Sequence, residues 1–315
     1  MIAKALHLAD NSAKSAIGGE GMVQDNFGAT AAQFSVGGVI NAGVSIVLRN
    51  VPQFLAICFL MSIPTLALMA LLFATFPAGP GALQGGAKLD LSQVGTGTKI
   101  LFALVFIVAF MSYFVIQAAL NYAAFQNLRG ERATIGACIA RGLAAMPRLI
   151  LACLVLLLIM IGVVIGGSTV VGIVVGGIGI ASGSAGMSTG LSILALVAFM
   201  ALFLFLFVIW WVFVPAIVAE NAGPVGCFGR SRSLTKGHRW GIFGILLLVT
   251  LANILAGLLL QFLGLLGVPL LASILNAIVS LFFAALSAVL SAVGYYYLRA
   301  EKEGFGVTDL AGVFD

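Results

Sequence analysis

Six stretches of this chain, roughly 53–76, 99–124, 149–180, 190–219, 240–263 and 270–298, are apolar and hold no Asp, Glu, Lys, Arg or His in their interiors. About 20 such residues cross the hydrocarbon core of a bilayer as a helix, which satisfies its own backbone hydrogen bonds where no water can. The expected fold class is therefore an all-α integral membrane protein with six transmembrane helices. The division between the last two stretches rests on Gly264, Gly267 and Pro269, a cluster that marks a tight turn. One unbroken helix over 240–298 would run about 88 Å at 1.5 Å per residue, far beyond a bilayer.

Charge supports the same class. Only 8% of residues are charged, where a soluble domain carries about 25%. The net charge of +5 does not mark a nucleic-acid binder, because the basic residues sit in short segments between apolar runs. Of the 15 Lys and Arg, only Lys88 and Lys99 fall on one side of the expected topology; the rest share the other. The positive-inside rule then makes both termini cytoplasmic. Trp240 and the Tyr295–Tyr297 run sit at the basic ends of spans, where amphipathic rings bridge headgroup and acyl regions.

A short phrase recurs on that basic side. Ser35-Val36-Gly37 precedes Arg49 by twelve residues, Thr134-Ile135-Gly136 precedes Arg148 by twelve, and Pro224-Val225-Gly226 precedes His238 by twelve. A pair of spans follows each copy. The pattern predicts a threefold repeat of a short interfacial amphipathic helix plus a transmembrane hairpin, with units of about 34–127, 131–222 and 223–300. Ser35 and Thr134 suit helix N-caps. Apolar residues at helical spacing, among them Val36, Val39, Ile40, Val44 and Val47, predict a helix lying on the inner leaflet. The third copy is more polar, with a weaker apolar face. The domain layout expected is a tail over 1–33, a six-span domain over 34–305 and a second tail over 306–315.

The segment Phe213-Val214-Pro215-Ala216-Ile217-Val218-Ala219-Glu220, followed by Arg230-Ser231-Arg232-Ser233-Leu234-Thr235-Lys236-Gly237-His238-Arg239-Trp240, resembles a bacterial six-span membrane-domain family. The closing Tyr297-Leu298-Arg299-Ala300-Glu301 is similar to the same family. That family includes the membrane domain fused to some glycerophosphodiester phosphodiesterases, and stand-alone relatives. The catalytic barrel of the fused enzymes has no counterpart here, so none of their chemistry is implied. The resemblance implies the bacterial inner membrane.

Candidate functional residues fall into three groups. Arg230, Arg232, Lys236 and Arg239, with Glu220, are placed to meet lipid headgroups or a partner; a positive-inside determinant and an inner-edge ion pair are the plainer alternatives. Gly162, Gly166, Gly172 and Gly176 have the four-residue spacing of close helix packing. Gln117, Asn121, Asn253, Gln261 and Asn276 are polar side chains within spans, suited to interhelical hydrogen bonds or to a polar path. The four cysteines form no Cys-x-x-Cys pair and are expected as free thiols. No Ser-His-Asp set, phosphate loop or metal-ligand spacing is present, so neither a cofactor nor catalysis is expected. The expected function is a structural or accessory membrane protein that packs against lipids, other membrane proteins or itself. The alternative is a passive carrier for a lipid-like or neutral molecule, which predicts a cavity between the three units containing Asn121, Asn253 or Gln261.

Overall fold

The computed structural model describes residues 34–75, 95–131, 133–182 and 185–304, with the side chains of Thr75 and of 178–188 excepted. Both expected tails, Lys88 and Arg132 lie outside the described residues. The described chain is helical: α1 (Val36–Arg49), α2 (Val51–Thr75), α3 (Thr96–Leu128), α4 (Ile135–Ser182), α5 (Ala185–Ile209), α6 (Phe213–Glu220), α7 (Gly226–Thr235), α8 (Arg239–Leu265) and α9 (Pro269–Glu303). Six segments are long and apolar enough to cross a membrane, with α5 and α6 together forming the fourth. The turn between α8 and α9 falls at Leu266–Val268, where Gly267 adopts a positive φ of 94° and Pro269 opens the next helix.

The three expected surface helices differ from one another. In the first copy Ser35 caps α1, its hydroxyl accepting from the Gly38 amide at 3.1 Å. The buried face of α1, Val39, Ala42, Gly43, Ile46 and Val47, rests on α9. In the second copy Thr134 likewise accepts from the Ala137 amide at 3.3 Å, but no break follows. α4 runs on through Pro147 for 48 residues, about 72 Å of helix. A proline alone costs one hydrogen bond, whereas the other copies redirect the chain at Asn50 and at Gly237 with φ 98°. In the third copy α7 does form, burying Cys227, Phe228, Ser231, Leu234 and Thr235.

The centre of the molecule is the basic half of α9. Half of its most apolar stretch is buried inside the protein, against 11–17% for the other five spans. Small residues make this possible: Ala285, Ser287, Ala288, Ser291, Ala292 and Gly294 let α1, α2, α3 and α8 approach from several sides. A Cβ on Gly43 would stand 2.5 Å from the Leu290 methyl Cδ2, and one on Gly142 would stand 2.8 Å from the Val115 carbonyl oxygen. The far halves of the spans are sparsely packed and present Leu, Ile, Val and Phe outward, as expected of surfaces that face lipid or a partner.

Candidate functional site

The fourth span breaks just before Pro215. Pro215 has no amide to return to Trp211, and the chain turns at Trp210–Val212 before resuming as α6. The break leaves the Ile209 carbonyl without its usual intrahelical donor, since the Phe213 amide bonds to Trp210 instead. Ser231 of α7 serves it, donating to Ile209 at 2.7 Å, while the Thr235 hydroxyl lies 3.3 Å from the same oxygen and has a closer acceptor in the Ser231 carbonyl at 2.9 Å. Both side chains are fully buried. Phe228, one turn earlier on α7, wedges between Trp210 (centroids 5.3 Å) and Phe213 (5.6 Å). The short surface helix thus holds the broken span in shape.

An ionic lock ties that assembly to the last helix. Glu220, at the end of α6, accepts from Arg230 Nε at 2.9 Å and Nη2 at 2.7 Å, and from the Tyr295 hydroxyl. Arg230 also pairs with Glu303, and Arg299 binds Glu303 at 2.9 Å while lying 3.5 Å from Glu220. The Glu303 hydrogen bond, and after it Glu220, raises the Arg230 pKa against the cost of burial, so this guanidinium stays charged. Lys302 donates to the carbonyls of Ser233 and Lys236 (2.8 Å for the latter), capping the C-terminal end of α7. His238 meets Glu301 at 3.1 Å, and Glu301 accepts from the Phe34 amide at 2.7 Å.

Above this lock lies a cavity of about 710 Å³. α5 leans on α4 and touches α7 and α8, and the space left toward α3 and α9 is the cavity. Trp210, Trp211, Phe213 and Val214 form its floor; Phe203, Leu206 and Phe207 line one wall. Val197, Met200 and Phe207 are 60–64% exposed, so the cavity is open along this part of α5. Its polar groups are neutral: Tyr113, Gln117, Ser287 and Ser291, besides the indole N–H groups. Behind Ser291 lies Asn121, fully buried, which donates to the Gln117 carbonyl at 2.7 Å and accepts from Ser291 at 3.3 Å. Residues within 34–127, 131–222 and 223–300 all contribute walls.

Several candidate residues land elsewhere than expected. Glu220 and Arg230 engage each other and α9, which makes them a structural pair rather than open headgroup contacts. Arg232 and Lys236 are exposed on α7, and Arg239 is half-buried with its guanidinium 5.2 Å over the Phe205 ring. Gly162, Gly166, Gly172 and Gly176 have no described residue within 4 Å of a would-be Cβ, so no described helix packs against them. At about 100° per residue those four cluster in one arc of α4, while Gly167, about 140° from Gly162, faces α5 and packs against Phe199. Gln117 borders the cavity and Asn121 backs it, but Asn253, Gln261 and Asn276 are exposed on the outer faces of α8 and α9. The four cysteines are buried free thiols. Glu303 is absent from the sequence-based expectations, and Tyr295, Arg299, Ser231 and Thr235 enter them only as an interfacial ring or as parts of the resembling segments, without a role in the site. The Ser231–Thr235 spacing of four, next to a proline-broken span, is the signal that could have found the last two.

Comparison with known proteins identifies one family. Residues 34–301 match the model of a family described as Domain of unknown function (DUF7847), and the chain belongs to that family. No curated protein and no solved structure matches the chain, and no link to the glycerophosphodiester phosphodiesterase membrane domain is shown.

Proposed function

We propose that this member of the family is a non-enzymatic multi-pass membrane protein that takes a lipid-like molecule into the cavity between α3, α4, α5 and α9. The observation that carries this reading is the cavity itself: about 710 Å³, walled by aromatic and aliphatic side chains, open along part of α5 and closed at its basic end by a braced floor. Sites for small apolar molecules have this volume and this mixture of apolar wall and few polar groups. The lock of Glu220, Arg230, Arg299 and Glu303 keeps the floor rigid, which favours binding a guest over passing it straight through. The excess of Lys and Arg at that end supports a cytoplasmic basic face, and the resemblance to bacterial domains supports a bacterial inner membrane. Gentle extraction followed by mass spectrometry of the intact protein tests the proposal. About one retained hydrophobic molecule per chain is expected, and Leu156→Trp, which fills the cavity, removes it. A chain that is empty, or that retains the same molecule after Leu156→Trp, would defeat the reading.

A second reading, an accessory subunit that associates through its spans, draws on the glycine face of α4 at Gly162, Gly166, Gly172 and Gly176, which no described residue covers. Bilayer-based measurement of oligomeric state decides it: a strictly monomeric, partner-free protein removes its support.

A further inference from the structure

Building on the lipid-binding reading above, we infer that the guest is a neutral single-chain amphiphile with a hydroxylated head, such as a monoacylglycerol. Its head lies on Gln117, Ser287 and Ser291, and its chain runs along α5. Charge makes the first cut. Among the described residues no Asp, Glu, Lys, Arg or His lines the cavity, and Glu220, Arg230 and Arg299 below its floor are engaged with one another and with α9. A phosphate or ammonium head inside would be desolvated with no partner, which is costly in a site of low dielectric.

Hydrogen-bond inventory makes the second cut. Ser291 spends its hydroxyl hydrogen within the chain, on the Ala288 carbonyl at 2.8 Å or on Asn121, so it offers a guest only lone pairs. Gln117 gives one N–H to the Tyr113 hydroxyl at 3.2 Å, leaving its own carbonyl and a second N–H. A group that both donates and accepts satisfies this wall, and a hydroxyl is the simplest such group. Length makes the third cut. From Trp210 to Val197 the α5 wall extends about 20 Å at 1.5 Å per residue, which suits one extended chain.

The indoles provide the readout. The protein has three tryptophans, and Trp240→Phe leaves only Trp210 and Trp211 at the cavity floor. In nanodiscs of unlabelled phosphatidylcholine, this variant is titrated with a monoacylglycerol brominated on its chain. The comparison titrations use a lysophosphatidylglycerol with the same chain and a two-chain brominated phosphatidylglycerol. Saturable quenching by the monoacylglycerol is expected at a mole fraction about tenfold lower than for either anionic lipid. Gln117→Leu and Ser287→Ala, made separately, should each weaken it about three- to tenfold, the scale of one intramembrane hydrogen bond. Equal or tighter quenching by an anionic lipid, or indifference to both substitutions, would overturn the assignment of the head while leaving a bound chain in place. Quenching that rises linearly for every lipid would remove the cavity reading itself.

Discussion

Gly294 of α9 lies directly beneath the indole of Trp211, so close that a Cβ built on it would stand 2.6 Å from Cζ3 and 2.7 Å from Cη2. The contact joins the central helix to the floor of the cavity. Trp211 is almost fully buried, so its ring can give way only toward the cavity it floors. Gly294→Ala is expected to destabilise by about 1–3 kcal/mol, the usual cost of forcing a methyl into a filled site. Thermal unfolding in micelles measures it, together with a change in tryptophan emission. Gly257→Ala on α8, where a methyl meets nothing within 4 Å, serves as the comparison and should be neutral or mildly stabilising.

Removing the Arg230 guanidinium should weaken the fold much more than removing its neighbour's. Arg230→Ala leaves Glu220 and Glu303 facing each other across Tyr295 and Arg299, with side chains only 20% and 30% exposed. Charge-assisted hydrogen bonds of this kind contribute about 1.5–3 kcal/mol each, reduced here by partial exposure. A loss of about 2 kcal/mol is expected in unfolding measurements. Arg232→Ala, at an exposed position on the same helix, should change stability by no more than about 0.5 kcal/mol. Equal effects would show that the lock is not holding α7 to α9.

The Ile209 carbonyl makes a different case, because two hydroxyls share one acceptor. Ser231 holds it at 2.7 Å, and Thr235, 3.3 Å away, can take over by turning its hydrogen from the Ser231 carbonyl at 2.9 Å. Thr235→Val should therefore cost little, and Ser231→Ala somewhat more. The double substitution leaves a buried carbonyl unsatisfied, which costs about 1–3 kcal/mol. A double-mutant cycle is expected to show a penalty larger than the sum of the singles. Simple additivity would mean that water or another donor reaches the break.

Cys227 lies on α7 beneath the break, with its thiol donating to the Pro224 carbonyl at 3.3 Å. Burial pushes its pKa up to about 11. The thiolate is the reactive form, so its population at pH 8 is about a thousandth, rising roughly tenfold per pH unit. Maleimide should leave Cys227 unmodified in the native protein near neutral pH and label it after denaturation. Rapid native labelling at pH 7, followed by mass spectrometry of the peptide, would contradict the buried placement.

The six spans, the α8–α9 turn and the two N-caps at Ser35 and Thr134 were legible because each depends on local chemistry: run length, glycine with proline, a hydroxyl before a helix. The cavity was not, since Gln117, Trp211 and Ser287 lie on three separate elements and become neighbours only through packing. The carrier alternative predicts a cavity between the units containing Asn121, Asn253 or Gln261; a cavity between them is present, but other residues line it. Asn121 sits one layer behind the wall, and the other two point outward. Polarity within a span marks a residue as unusual, but helix rotation decides which side it faces, and rotation follows from neighbours such as the small-residue face of α9.

The same rotation separates the glycines of α4 and yields a test of which face is occupied. Gly167 is turned to α5, where a Cβ would collide with the Phe199 ring. Gly167→Ala must push that ring along α5, away from its partner Phe203 at 5.2 Å, and should lower stability by about 1 kcal/mol. Gly162→Ala and Gly172→Ala meet open space and replace a poor helix former, so each should raise it by up to about 1 kcal/mol in a monomer. If instead these two lower both stability and the fraction of oligomer in bilayers, a second helix must cover that arc. Monomer stability and bilayer oligomerisation, measured on the same three variants, therefore separate a lipid-facing stripe from an association face.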